Sequence, residues 1–125
     1  MAQKIKEPQA RFGYRKNPAS GNWEPITPDI GSVVGDGRKI VTTAGTREQL
    51  SSSSTSTLNV VIQAELDNTG VVVVGGITVV AALATRRGIG LEAGDSISLN
   101  VSDLSLIWLD SMVSGDGVTY FWTRL

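Results

Sequence analysis

Residues 88–122 (GIGLEAGDSISLNVSDLSLIWLDSMVSGDGVTYFW) decide the fold class, because they contain three strand patterns separated by turn residues. Over residues 96–101 polar and apolar side chains alternate strictly, which is typical of a strand with one buried face. Further apolar runs occupy residues 104–110 and 118–123, after turns rich in Ser, Asp and Gly. This stretch therefore predicts three consecutive short strands.

The last two predicted strands carry apolar residues on both faces. A strand at 104–110 would place Leu106 and Trp108 on one face and Ile107 and Leu109 on the other. In a strand over residues 118–123, Phe121 lies on one face and its aromatic neighbours Tyr120 and Trp122 lie on the other. Contiguous exposed apolar surface usually marks an interaction site, so we expect an oligomer interface at Ile107, Leu109 and Phe121. The alternative is that the N-terminal segment or a loop of the same chain covers these side chains.

The preceding part of the chain adds more short strands. Residues 39–43 are predicted to form a strand, because residues 40–43 are all β-branched. Residues 58–64 alternate, and residues 71–74 are apolar on both faces. Gly75 and Gly76 predict a hairpin turn into a returning strand at 77–80. With about seven or eight short strands and regular turn signals, the pattern indicates an all-β sandwich or barrel.

The composition argues against an enzyme. The chain has no cysteine and no histidine, so thiolate nucleophiles and the commonest general base and metal ligand are absent. Carboxylates alone leave two alternatives open, a glycan hydrolase with an acidic pair and a calcium site. No spacing supports either of them, and we predict no catalytic residue, no cofactor and no metal. The acidic side chains considered for calcium are Asp103, Asp110 and Asp116.

The charge and hydropathy patterns also limit the partners. The formal net charge is −1, which gives no general attraction to nucleic acid or anionic membranes. The apolar stretch over residues 71–84 is too short to span a bilayer and is interrupted by glycines. No apolar core follows the basic N-terminus, so no secretory signal is predicted. We expect no membrane partner and do not expect nucleic-acid binding.

Residues 1–37 differ from the rest and are predicted to form an extended, basic N-terminal arm, followed by a sandwich domain over residues 38–125. The arm holds all four prolines and has few aliphatic residues, so it cannot offset its ordering entropy by burial within itself. We expect it to lie on a neighbouring subunit, with packing on its own domain or a loose terminus as alternatives. Its predicted partner-binding residues are Arg11, Phe12, Tyr14, Arg15 and Trp23.

An ordered series of motifs resembles a known family. The series comprises VTTAGT at 41–46, NTGVVVVG at 68–75, LEAGDS at 91–96, IWLD at 107–110 and GVTY at 117–120. Together these motifs resemble the small β-sandwich virion proteins of tailed bacteriophages, of the head decoration or cement type. The resemblance covers roughly residues 41–122 and leaves the N-terminal arm outside.

The resemblance implies a jelly-roll-like β-sandwich located on the capsid surface of a virion. It implies a homotrimer that binds the major capsid protein and clamps neighbouring capsid subunits. The alternative within the same resemblance is a tail- or fibre-associated protein that contacts the host surface. In that case Tyr120 and Trp122 are expected to form a carbohydrate-binding platform.

Overall fold

The computed structural model describes residues 14–16, 23–25 and 31–125. The chain divides into two units, Met1–Ile30 and Gly31–Leu125. In the first unit, strand β1 (Tyr14–Lys16) pairs in antiparallel fashion with β2 (Trp23–Pro25). The second unit begins earlier than the predicted boundary at residue 38, because β3 (Val33–Ile40) already belongs to its sheet.

The second unit contains eight strands and two single-turn 3₁₀ helices. Within the described part of the chain, no helix is long and apolar enough to cross a membrane. The strands after β3 are β4 (Glu48–Gln49), β5 (Asn59–Ala64), β6 (Val72–Gly75), β7 (Ile89–Leu91), β8 (Ser96–Leu99), β9 (Trp108–Ser111) and β10 (Gly117–Arg124), and the 3₁₀ helices are Leu83–Thr85 and Leu104–Leu106.

These strands form two four-stranded antiparallel sheets, called here the first sheet (β3-β10-β5-β8) and the second sheet (β4-β9-β6-β7). The first strand of the unit pairs with the last, β4 pairs with β9, β5 with β8, and β6 with β7. A long hairpin folded over on itself in this way is a jelly roll. The predicted all-β, jelly-roll-like sandwich is therefore confirmed.

The core lies between the two sheets and is made of aliphatic side chains. In β5 the predicted alternation is confirmed, since Val60, Ile62 and Ala64 are fully buried. The second sheet contributes Val72 and Leu109 from the opposite side. Full burial of one such Val, Leu or Ile side chain contributes roughly 1.5–3 kcal/mol to the free energy of unfolding.

Strand β3 joins the first sheet although its sequence, VVGDGRKI, does not predict a strand. Because glycine weakens strands, the strand predicted here covered only residues 39–43. In the structure the rings of Trp122 and Tyr120 occupy the space where side chains at Gly35 and Gly37 would lie. The aromatic residues of β10 therefore supply the packing that the glycines of β3 lack.

Residues 76–88 fold over the outer face of the second sheet, and we call this segment the cover. The predicted returning strand at 77–80 is wrong, because β6 pairs with β7 and β9 instead. Val79 and Ala81 of the cover pack on Val73 in a small second cluster. Gly88 ends the cover with φ +110°, where a Cβ atom would overlap the carbonyl of Val74.

The predicted continuous strand over 104–110 is also wrong. A 3₁₀ turn occupies Leu104–Leu106, capped by the carboxylate of Asp103, which accepts the backbone N–H of Ser105. The turn interrupts the alternation, so the strand begins only at Trp108. Consequently, apolar residues that appeared to lie on two faces of one strand have different environments.

Candidate partner-binding surface

The interface predicted at Ile107, Leu109 and Phe121 is only partly exposed. Ile107 and Leu109 are buried in the core between the sheets, so their side chains offer no surface to a second subunit. The prediction for these two residues is corrected, because the 3₁₀ turn directs both of them inward. Phe121 is 44 % exposed on the outer face of the first sheet.

Phe121 lies in a row of side chains that crosses the first sheet. Its partners across the strands are Asp36 on β3 and Val61 on β5, and Ser98 on β8 completes the row. A shallow depression of about 280 Å³ borders the ring and is lined by Val61, Gln63, Ser96, Thr119, Tyr120 and Phe121. The outer face therefore combines one aromatic ring with amide and hydroxyl groups.

Tyr120 and Trp122 do not form the expected outward platform. Both side chains are half-buried and pack against the core, above Gly37 and Gly35. Burial raises the pKa of the Tyr120 hydroxyl, and the nearby carboxylate of Asp36 adds to this shift. The guanidinium carbon of Arg124 lies 5.6 Å from the ring centre of Trp122, within the range of a cation–π interaction.

A larger apolar groove opens on the side of the sandwich where β7 and β8 are the edge strands. Ile89 on β7 and Leu106 on the 3₁₀ turn are 58 % and 56 % exposed there. Ile89 pairs with the buried Val74, so it faces the space between the sheets and remains exposed only because the sandwich is open at this side. The groove has a volume of about 410 Å³ and is lined by Val74, Gly75, Gly76, Gly88, Ile89, Ile97, Leu99, Asn100, Val101, Leu106 and Ile107.

Sequence reasoning did not find this groove. Ile97, Leu99 and Val101 were predicted to share one buried face, and they do pack against the core. Nothing in the alternation of β8 indicates that the sheets separate beside it. One sequence signal could have indicated the turn that exposes Leu106. Asp103 directly precedes the apolar run that contains Leu106, and an aspartate in that position is typical of a residue that caps a turn.

The predicted partner-binding residues of the arm cannot be placed on this surface. Arg11 and Phe12 lie outside the described residues. Tyr14, Arg15 and Trp23 belong to β1 and β2, for which the strand pairing is described but not the side-chain environment.

The acidic side chains considered for calcium are bound to backbone amides in three separate places. Asp110 accepts N–H groups from Gly45, Ala81 and Ser111 at 3.0, 2.8 and 2.8 Å. Asp116 accepts hydrogen bonds from the backbone N–H groups of residues 69 and 70 at 3.2 and 2.8 Å. Within the described ranges, no group of three or more acidic side chains is arranged to hold a metal ion.

Asp103 organises the loop over residues 51–57. Its carboxylate accepts hydrogen bonds from the hydroxyl of Ser54 and from the backbone N–H of Thr55, the latter at 3.1 Å. It also accepts hydrogen bonds from the backbone N–H and the hydroxyl of Ser105, at 2.8 Å each. These hydrogen bonds hold the pKa of Asp103 well below its usual range. The Ser/Thr-rich run is thus an ordered connection to the turn that borders the groove.

Glu48 links the two sheets at the opposite edge. It lies on β4 and accepts the backbone N–H of Thr42 at 2.8 Å and the ammonium group of Lys39 at 3.2 Å. The bond from Thr42 is the main cause that lowers the pKa of Glu48. The carboxylates described here therefore maintain loops and sheet edges.

Neither a scan against protein-family models nor a search of the curated proteins finds a match to this chain.

Proposed function

We propose that this chain is a non-enzymatic virion protein of a tailed bacteriophage, which binds the outer surface of the capsid as a decoration (cement) protein. In this role it clamps neighbouring major capsid subunits and stabilises the shell. The partner follows from the resemblance over residues 41–122, and the jelly-roll strand order supports it because the resemblance implies that fold.

The observation that carries the binding role is the apolar groove between β7 and β8. Exposed Ile89 and Leu106 extend the core to the surface in a groove of about 410 Å³. Apolar grooves of this kind are typical of sites that bind a partner segment. The resemblance adds a homotrimer at three-fold positions, where several modest contacts combine into high avidity.

The experiment adds the purified chain to expanded capsid shells that lack it. We expect the chain to sediment with the shells and to raise their melting temperature in calorimetry. Shells that bind none of the added chain would overturn the proposed function. Imaging of the labelled chain on virions separates an even coat on the head from a few positions on the tail, which the host-binding alternative requires.

A pair of variants tests the groove. Ile89→Ser combined with Leu106→Ser removes two exposed apolar side chains, so shell binding should weaken at least tenfold, as for the loss of about 1.4 kcal/mol or more. The control is Ile77→Ser combined with Leu83→Ser, which removes two exposed apolar side chains from the cover, outside the groove lining. Equal binding by the two variants would assign the contact to another surface.

A further inference from the structure

Strand β3 is the outermost strand of the first sheet. Among the described residues it pairs only with β10, and its side chains are exposed or half-buried along its whole length. An edge strand presents backbone N–H and C=O groups that can pair with another strand.

The directions of the backbone groups can be read from the neighbouring ladder. The carbonyl of Gly117 accepts the N–H of Glu65 on the β5 side, and the carbonyl of Arg124 accepts the N–H of Ser32 on the β3 side. Because successive residues of a strand point to alternate sides, Val118, Tyr120 and Trp122 direct their backbone groups to β3. Their partners on β3 are odd-numbered, so the even-numbered residues of β3 direct theirs to the outer edge.

The side chains of these even-numbered residues are self-complementary. Asp36 and Arg38 lie on the outer face of the sheet, two positions apart, with Gly37 between them. If two copies of β3 pair in antiparallel fashion about Gly37, Asp36 of each copy lies opposite Arg38 of the other. The same register places Val34, which is 70 % exposed, opposite Ile40 of the other copy.

Charge selects this register over its neighbours. A shift that keeps the same side chains on the same face moves the pairing by two residues and places Asp36 opposite Asp36, or Arg38 opposite Arg38. Like charges directly opposite each other destabilise a strand pair, whereas opposite charges stabilise it. The hydrogen-bonded positions are then Asp36 and Arg38, and the closer, non-hydrogen-bonded position is Gly37, which has no side chain to obstruct it.

The ion pair of Arg38 within its own chain is compatible with this contact. Its Nε and Nη2 atoms donate to Glu65 at 2.8 Å each, and its side chain remains 58 % exposed. A guanidinium group has five N–H donors, so Arg38 retains donors for a carboxylate of a second chain.

We propose that two copies of this chain associate through β3, in a two-fold symmetric antiparallel pair centred on Gly37. The contact joins the first sheets of the two copies into one continuous sheet. In a two-fold symmetric contact of this kind, each interaction occurs twice. It is separate from the groove and from the proposed three-fold assembly, and it does not require a capsid.

The test measures mass in solution by sedimentation of the full-length chain over a concentration series. Asp36→Arg places two arginines opposite each other, and Arg38→Asp places two aspartates opposite each other. Each variant alone should therefore have half the mass of the wild type, whether the pairing unit is one chain or a trimer. Glu92→Arg, the same charge reversal on an exposed turn, is the control and should keep the wild-type mass.

Mixing the two variants gives the decisive result. In a mixed pair the arginine introduced by Asp36→Arg faces the aspartate introduced by Arg38→Asp, and the unchanged Arg38 of one copy faces the unchanged Asp36 of the other. The mixture should therefore regain the mass that each variant lost. Circular dichroism of each variant shows whether it is folded. A wild-type mass equal to that of Asp36→Arg, or a mixture of folded variants that does not associate, would overturn the proposal and would leave the capsid experiment unaffected.

Discussion

Asp110 connects the second sheet to two segments that are distant in sequence, the loop at Gly45 and the cover. Its buried carboxylate accepts N–H groups from the loop at Gly45, from Ala81 of the cover and from Ser111. In Asp110→Asn one acceptor oxygen becomes an NH₂ group that faces a backbone donor. We expect the free energy of unfolding to fall by about 1–3 kcal/mol, measured by urea denaturation.

The control for this variant is Asp95→Asn. Asp95 is exposed and accepts one backbone N–H, from Glu92 at 3.1 Å. The same chemical change should therefore cost much less stability there. Similar losses in both variants would show that the hydrogen bonds of Asp110 are not the cause.

The charge of Asp103 makes the free energy of unfolding depend on pH in the acidic range. Its pKa is lowered in the folded chain, so the stabilising effect of its charge is present at neutral pH. The effect should be lost as the pH falls below about 4, the range in which an unfolded aspartate takes up a proton. Urea denaturation of wild type and Asp103→Asn at neutral and acidic pH should show that their difference in stability shrinks on acidification.

Asp67→Asn is the matched control for the pH experiment, because Asp67 is an exposed turn residue. At neutral pH, Asp67→Asn should lower the free energy of unfolding less than Asp103→Asn does. A gap between wild type and Asp103→Asn that stays constant would contradict the assignment.

The aspartates also differ in how far their roles follow from the sequence. A Gly-Asp-Gly context predicts a turn residue, which is correct for Asp116, whose carboxylate accepts the amides of residues 69 and 70. The same context is wrong for Asp36, which lies within β3. The role of Asp110 was not predictable, because Gly45 and Ala81 are far from it in sequence. Only the strand pairing and the path of the cover bring these donors to one carboxylate.

Strand β3 depends on the absence of a side chain at Gly35. A Cβ atom there would overlap the ring of Trp122. Gly35→Ala should lower the free energy of unfolding by about 1–3 kcal/mol, although alanine is ordinarily the better strand residue, because a packed ring must move. Thermal unfolding followed by circular dichroism measures this change in stability.

Gly76→Ala serves as the comparison for this prediction. A Cβ atom at Gly76 meets no atom within 4 Å. Its unfolding should therefore resemble that of the wild type. If Gly35→Ala is also neutral, the packing of Trp122 on β3 does not matter for stability.

Elements with strict alternation were predictable, and elements defined by packing were not. Strand β5 and residues 96–101 follow their hydrophobic pattern, because one face of each meets the core. Strand β3 was missed because its inner face is glycine and its packing comes from another strand. The run 104–110 was mistaken for a strand because a 3₁₀ turn and a strand can share one apolar pattern.

Short strands with regular turns were sufficient to predict that the chain folds as a sandwich. The order of the strands was not derivable from periodicity, since it depends on which edges meet, and only the resemblance implied a jelly roll. The groove has the same origin. Its residues Ile89, Leu99 and Leu106 come from separate elements, and the gap between edge strands β7 and β8 brings them together.

The cover has a consequence for the dynamics of the folded chain. It is held to the second sheet by the small cluster around Val79 and Ala81 and by the amide of Ala81, which donates to Asp110. Within the cover itself, Val80 and Arg87 exchange backbone hydrogen bonds of 3.1 and 3.0 Å. None of these contacts belongs to the core between the sheets, so the segment can detach while the jelly roll persists. In hydrogen exchange, the amides of Val80 and Ala81 should lose protection at a lower opening free energy than those of Val60 and Ile62. Equal protection at all four amides would instead make the segment one cooperative unit with the sandwich.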